Sequence, residues 1–127
     1  MLDIDVRLRG PLLTGAPERD VDAFLADAQQ TVANQALADV HQILDASIRN
    51  PTPYYETQLI VQRLEPDVVV HDRGIVYGPW LEGTSSRNRT TRFKGYAAFR
   101  RARDSVDRQV PQLVAHQLRQ LLQRLED

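Results

Sequence analysis

The stretch Gln58–Tyr77, QLIVQRLEPDVVVHDRGIVY, decides how the rest of the chain is read. Its runs Gln58 to Leu64 and Val68 to His71 are rich in β-branched residues, which suit a pleated, half-buried surface better than a helix. Between them Glu65-Pro66-Asp67 reads as a turn, with proline supplying its fixed φ. Strands joined by so short a connection form an antiparallel hairpin. Asp72-Arg73-Gly74 offers a second turn into Ile75-Val76-Tyr77, so the pattern predicts a small antiparallel meander over 58–77.

Toward the amino terminus, Asn50-Pro51-Thr52-Pro53 leads into Tyr54-Tyr55-Glu56, and the prolines favour an extended entry to the sheet. The tyrosines there either cap the core or face a partner. Before Asn50-Pro51, Val21, Phe24, Leu25, Ala28, Val32, Leu37, Val40, Ile43, Leu44 and Ile48 recur every three or four residues. Pro17 suits a first helical turn, and Glu18, Asp20 and Asp22 favour a helix amino terminus, so a helix is predicted over 17–49. At about 1.5 Å per residue it reaches roughly 45 Å, more than its own sheet needs, which points to part of it packing on another subunit. Leu2, Ile4, Val6 and Leu8 alternate with charged residues, the period of a strand over 2–8 that Gly10 and Pro11 end.

Toward the carboxyl terminus, Phe99, Ala102, Val106, Val110, Leu113, Val114, Leu118, Leu121, Leu122 and Leu125 again have helical spacing. The helix expected over 97–126 contains Pro111, which removes a backbone donor and crowds the preceding turn, so a kink or a break is expected there. The sum is an α+β fold in one domain, 1–127. It has a small antiparallel sheet packed with a long N-terminal helix and a kinked C-terminal helix, plus a long assembly loop over 77–96.

A chain of 127 residues with 42% hydrophobic and 26% charged residues is ordinary for one globular domain. It has no cysteine, which excludes disulfides and thiolate-bound metal centres. No apolar run approaches the ~18 residues of a membrane span, and MLDIDVRLRG lacks a signal-peptide core, so synthesis in the cytoplasm is expected. The net charge of −1 conceals an asymmetry. Residues 1–70 hold eleven acids and five arginines, whereas residues 71–127 hold six acids and eleven bases. A basic half suits nucleic acid or an acidic partner, and a neighbouring copy of the acidic half would serve as one.

Catalytic devices are missing. The histidines His41, His71 and His116 are widely separated, no HExxH, GxSxG, Walker or GxGxxG pattern occurs, and no cofactor or metal is expected. Glu82 stands near Arg87, Arg89 and Arg92, where an ion pair is expected ahead of a general base.

The run Tyr77–Arg101, YGPWLEGTSSRNRTTRFKGYAAFRR, has the composition of a contact surface instead. Trp80, Phe93, Tyr96 and Phe99 are large apolar anchors, and Arg87, Arg89, Arg92 and Lys94 are set between them. Arginine and aromatics are the side chains enriched at protein interfaces. The same set would bind phosphates and stack on bases, but no helix-turn-helix, RRM or zinc-finger pattern accompanies it.

Through Tyr77-Gly78-Pro79-Trp80-Leu81-Glu82-Gly83, Ser86-Arg87-Asn88 and Thr90-Thr91-Arg92-Phe93-Lys94-Gly95-Tyr96, the sequence resembles a family of neck proteins of long-tailed bacteriophages. This is the gene-product-ten-like tail-component family in its actinobacterial phage form, and the resemblance is specific over Tyr77 to Arg101. It implies a small α+β virion protein, without enzymatic activity or cofactor, assembling as a ring of about six copies at the head–tail junction. The implied partners are further copies of itself, the neighbouring head-completion or connector protein, and the tail-terminator or tail-tube protein, with non-specific contact to passing DNA. The site implied is an assembly loop comprising Tyr77, Trp80, Leu81, Glu82, Arg87, Arg89, Arg92, Phe93, Lys94 and Tyr96. A tail terminator capping the tail tube and a basic nucleic-acid-binding protein are the alternatives left open.

Overall fold

A computed structural model describes residues 2–7, 18–48 and 53–126. The elements run β1 (Asp3–Val6), α1 (Glu18–Ser47), α2 (Pro53–Thr57), β2 (Ile60–Leu64), β3 (Asp67–His71), α3 (Gly78–Glu82), α4 (Arg87–Thr90) and α5 (Ala98–Glu126). Together they make an α+β fold in which a three-stranded antiparallel sheet packs with two long helices.

The hairpin forms as its sequence predicts, with β2 and β3 antiparallel, Ile60 opposite His71 and Leu64 opposite Asp67. The third strand is a different one. Ile75-Val76-Tyr77 lies in turns rather than in the sheet. Its place beside β3 is taken by β1, with Asp3 opposite His71 and Val6 opposite Val68, giving the order β1-β3-β2. The physical reason is burial. Ile4 and Val6 are buried in register with Val70 and Val68, whereas Val76 is 95% exposed. The strand's alternating pattern extends farther in sequence than the observed β1, and Leu8, Gly10, Pro11 and Pro17 lie outside the described residues, as do Asn50 and Pro51.

Strand alternation sends Ile4, Val6, Val61, Val68 and Val70 to one face, where Val32, Ala33, Ala36, Val40 and Leu44 of α1 close over them. The helix α5 lies along α1, bringing Ala98, Phe99, Ala102 and Val106 into the same core. Alanines on both helices let their backbones approach closely. The length of α1 that its sheet does not need is thus matched within the chain by α5. Polar ties tether the pair: Gln117 donates to Thr31 Oγ1 at 2.7 Å, and Gln109 reaches Asp39 at 3.5 Å. On the hairpin side, buried Gln29 of α1 donates to the carbonyls of Pro66 at 2.9 Å and Val6 at 3.3 Å, fastening the turn and the end of β1.

The helix α5 continues unbroken through Pro111. Both Pro111 and Asp107, whose carbonyl loses its donor, are exposed, so water can take the lost hydrogen bond. Nor is the entry to β2 extended. Tyr54-Tyr55-Glu56 forms the short helix α2, which buries Tyr55 and leaves Tyr54 57% exposed. No helix among the described residues is long and apolar enough to cross a membrane.

Candidate interaction surface

The connection from β3 to α5 is a knob folded around its own backbone, within which α3 and α4 are single-turn helices. Its foot is the buried carboxylate of Asp72. Asp72 Oδ2 accepts from the Tyr55 hydroxyl at 2.9 Å, and Oδ1 accepts from the Gly74 amide at 2.9 Å. Burial, with Asp72 beside it, pushes the Tyr55 phenol well above its ordinary value and keeps it a donor. Gly78 opens α3 directly over this pair, and a Cβ there would collide with Asp72 Oδ2. The neighbouring imidazole is fixed as well. His71 Nδ1 accepts the Arg73 amide at 3.0 Å, which leaves Nε2 to donate to Gln62 Oε1 at 2.7 Å.

The knob closes where Gly83 meets Gly95. Both have positive φ, 103° and 93°, and a Cβ on either would strike the backbone of the other strand of the closure. Tyr96 then donates its amide to Leu81 O at 2.6 Å and Ala97 donates to Glu82 O at 3.1 Å, returning the chain alongside α3.

Asn88, 3% exposed, organises the interior. Its amide nitrogen donates to Trp80 O at 3.2 Å and Phe93 O at 3.1 Å, while its oxygen accepts from the Ser85 amide at 2.9 Å. One side chain thereby joins three points of the loop. Beside it Trp80 packs on Phe93, centroids 4.9 Å apart, and Phe93 on Tyr96 at 5.0 Å.

Two charged residues of the predicted surface prove to be internal braces. Glu82 makes no ion pair with an arginine among the described residues. Its carboxylate accepts the amides of Phe99 at 2.9 Å and Arg100 at 3.0 Å, capping the first turn of α5 where the helix dipole favours negative charge. The expected ion pair fails because free amides at a helix start bind a carboxylate in fixed geometry, whereas exposed arginines compete with water. Lys94 sends its ammonium to Asn88 O at 2.9 Å and Arg89 O at 3.4 Å, at the carboxyl end of α4.

Arg87, Arg89 and Arg92 are exposed, and none of their guanidinium groups pairs with an acid among the described residues. Of the aromatic anchors, Trp80, Phe93 and Tyr96 are half-buried on one another, Leu81 packs against the core, and Phe99 is buried within it. Tyr77 is 42% exposed, its ring 5.7 Å from that of Tyr55. Sequence reasoning missed Asn88, Asp72 and the Gly83–Gly95 closure. The two glycines flanking an aromatic and basic run were a readable signal of closure, whereas Asn88 has no periodicity to mark it.

Among the described residues, no group of three His, Cys, Asp or Glu side chains is placed to hold a metal ion. The arrangement offers recognition: a braced scaffold holding three guanidinium groups toward solvent. Comparison of the chain with protein-family models, curated proteins and solved structures finds no match.

Proposed function

We propose that this protein is a structural component of the neck of a long-tailed bacteriophage, forming a ring that joins the DNA-filled head to the tail and lets DNA pass. The reading rests on the resemblance over Tyr77 to Arg101 and on one observation: Arg87, Arg89 and Arg92 stand exposed on a hydrogen-bonded knob, and none pairs with an acid among the described residues. A cation cluster held so firmly is suited to meet carboxylates on another surface in fixed geometry. The charge asymmetry of the two halves of the chain supports a ring, whose head-to-tail contacts join unlike surfaces.

Packing within the knob favours assembly over nucleic-acid binding. A single-strand binder presents aromatic faces on which bases stack, but Trp80, Phe93 and Tyr96 are engaged with one another. Complementation tests the proposal. Arg92→Glu supplied in place of the normal chain is expected to yield unjoined heads and tails, and joined infectious particles would refute the role of the knob.

A further inference from the structure

A small cavity lies where α1, α2 and the knob meet. Among its lining residues are Leu44 of α1, Tyr55 and Glu56 of α2, and Tyr77, Leu81 and Tyr96 of the knob. Its volume, about 170 Å³, is below the roughly 300–1,000 Å³ of pockets that take whole small molecules, and is of the order needed by the head of one long side chain.

One polar group of the lining is unsatisfied. Glu56 Oε1 is buried and has no hydrogen-bond partner among the described residues. Oε2 lies 3.6 Å from His41 Nδ1, beyond good hydrogen-bond length. Burial, followed by the nearby Asp45, raises the Glu56 carboxyl above its ordinary value, as expected for an acid held without a full countercharge. The rest of the lining is largely aromatic. The Tyr55 and Tyr77 rings are 5.7 Å apart and inclined at 46°, and Tyr96 joins them. Tyrosine rings beside a carboxylate are a setting in which organic cations are recognised.

We propose that this cavity receives the guanidinium head of an arginine from another polypeptide. A carboxylate takes a planar guanidinium through paired hydrogen bonds, and aromatic rings stack on it, neither of which an ammonium matches. The source is a polypeptide because exposed Tyr54 and Val76, next in sequence to Tyr55 and Tyr77, add the apolar area typical of a protein contact. Such a contact does not require a ring.

Titration of N-acetyl-arginine amide into the full chain, followed through the ring-proton resonances of Tyr77 and Tyr96, tests it. Saturable shifts are expected, with weaker binding of N-acetyl-lysine amide and none of N-acetyl-norleucine amide, which has length without charge. Glu56→Gln keeps the shape but not the charge and is expected to weaken the arginine amide about tenfold or more. Tyr77→Leu is expected to weaken it about threefold, whereas Tyr77→Phe keeps the ring and the affinity. An equal response to the lysine or norleucine amide, no saturable shift, or unchanged binding in Glu56→Gln would overturn the assignment. Free arginine binding more tightly than the blocked amide would overturn the polypeptide as its source. So would binding that appears only after Arg49→Ala, since the chain would then be supplying its own guanidinium.

Discussion

Asn88 illustrates how much one polar side chain can organise when it is buried with both its donors and its oxygen engaged. Two backbone carbonyls and one amide of the knob depend on it. Replacing it by alanine removes the side-chain partner of the Trp80 carbonyl and of the Ser85 amide, and leaves the Phe93 carbonyl with the longer bond from Thr91 Oγ1 at 3.3 Å. Asn88→Ala is expected to cost about 1–3 kcal/mol, expressed mainly as local opening of the knob. Trp80 is the only tryptophan, so a red shift of its fluorescence, with faster amide exchange over 85–97, checks this directly. Unchanged exchange there would show that the knob does not depend on Asn88. Residues of this kind were the least legible in the sequence. Arg87, Arg89 and Arg92 announced a surface by charge alone, but Glu82 and Lys94 share that charge and serve as braces, a distinction set by which backbone amides and carbonyls the fold brings near them.

At the scale of elements, periodicity was informative wherever a face is buried. Of the positions predicted for α1 and α5, Val32, Val40, Leu44, Phe99, Ala102 and Val106 line the core, whereas Leu122 is exposed, and the β-branched runs of the hairpin became β2 and β3. Failure came where local pattern lacked tertiary information. Ile75-Val76-Tyr77 has the composition of a strand, yet the place beside β3 goes to β1, whose alternation lets Ile4 and Val6 be buried. At Pro111 the alternative of a break into two helices is not realised. The local cost of the proline is real, but packing along α1 on either side holds the helix together. Pro111→Ala should therefore stabilise the protein, restoring a donor and removing a clash worth up to about 3 kcal/mol in an exposed helix interior. Thermal unfolding followed by circular dichroism checks it, and an unchanged or lower melting temperature would show that the proline fits α5 without strain.

For the whole molecule, electrostatics sets opposing pH dependences. The Arg7 hydrogen bonds hold the Asp67 carboxyl below its ordinary value, so the stability it contributes is present above the unfolded pKa and lost as pH falls through the folded one. Glu56 has the opposite sign. Burial first, then Asp45, raises its carboxyl despite His41 at 3.6 Å, and its buried Oε1 lacks a hydrogen-bond partner. Its contribution is full below the unfolded pKa and lost as pH rises through the raised folded value. Glu56→Gln, which cannot ionise, is therefore expected to raise the melting temperature at about pH 7 and to change it little near about pH 4. An equal shift at both would mean that packing rather than charge sets the effect.

The Gly83–Gly95 closure has a consequence for how such a surface changes over time. The frame of the knob depends on two glycines, one asparagine and the braces Glu82 and Lys94, while positions 87, 89 and 92 point outward and support none of these contacts through their side chains. Frame and display are separable. The outward positions form an interchangeable faceplate, able to exchange one partner for another while the mounting beneath it keeps its shape.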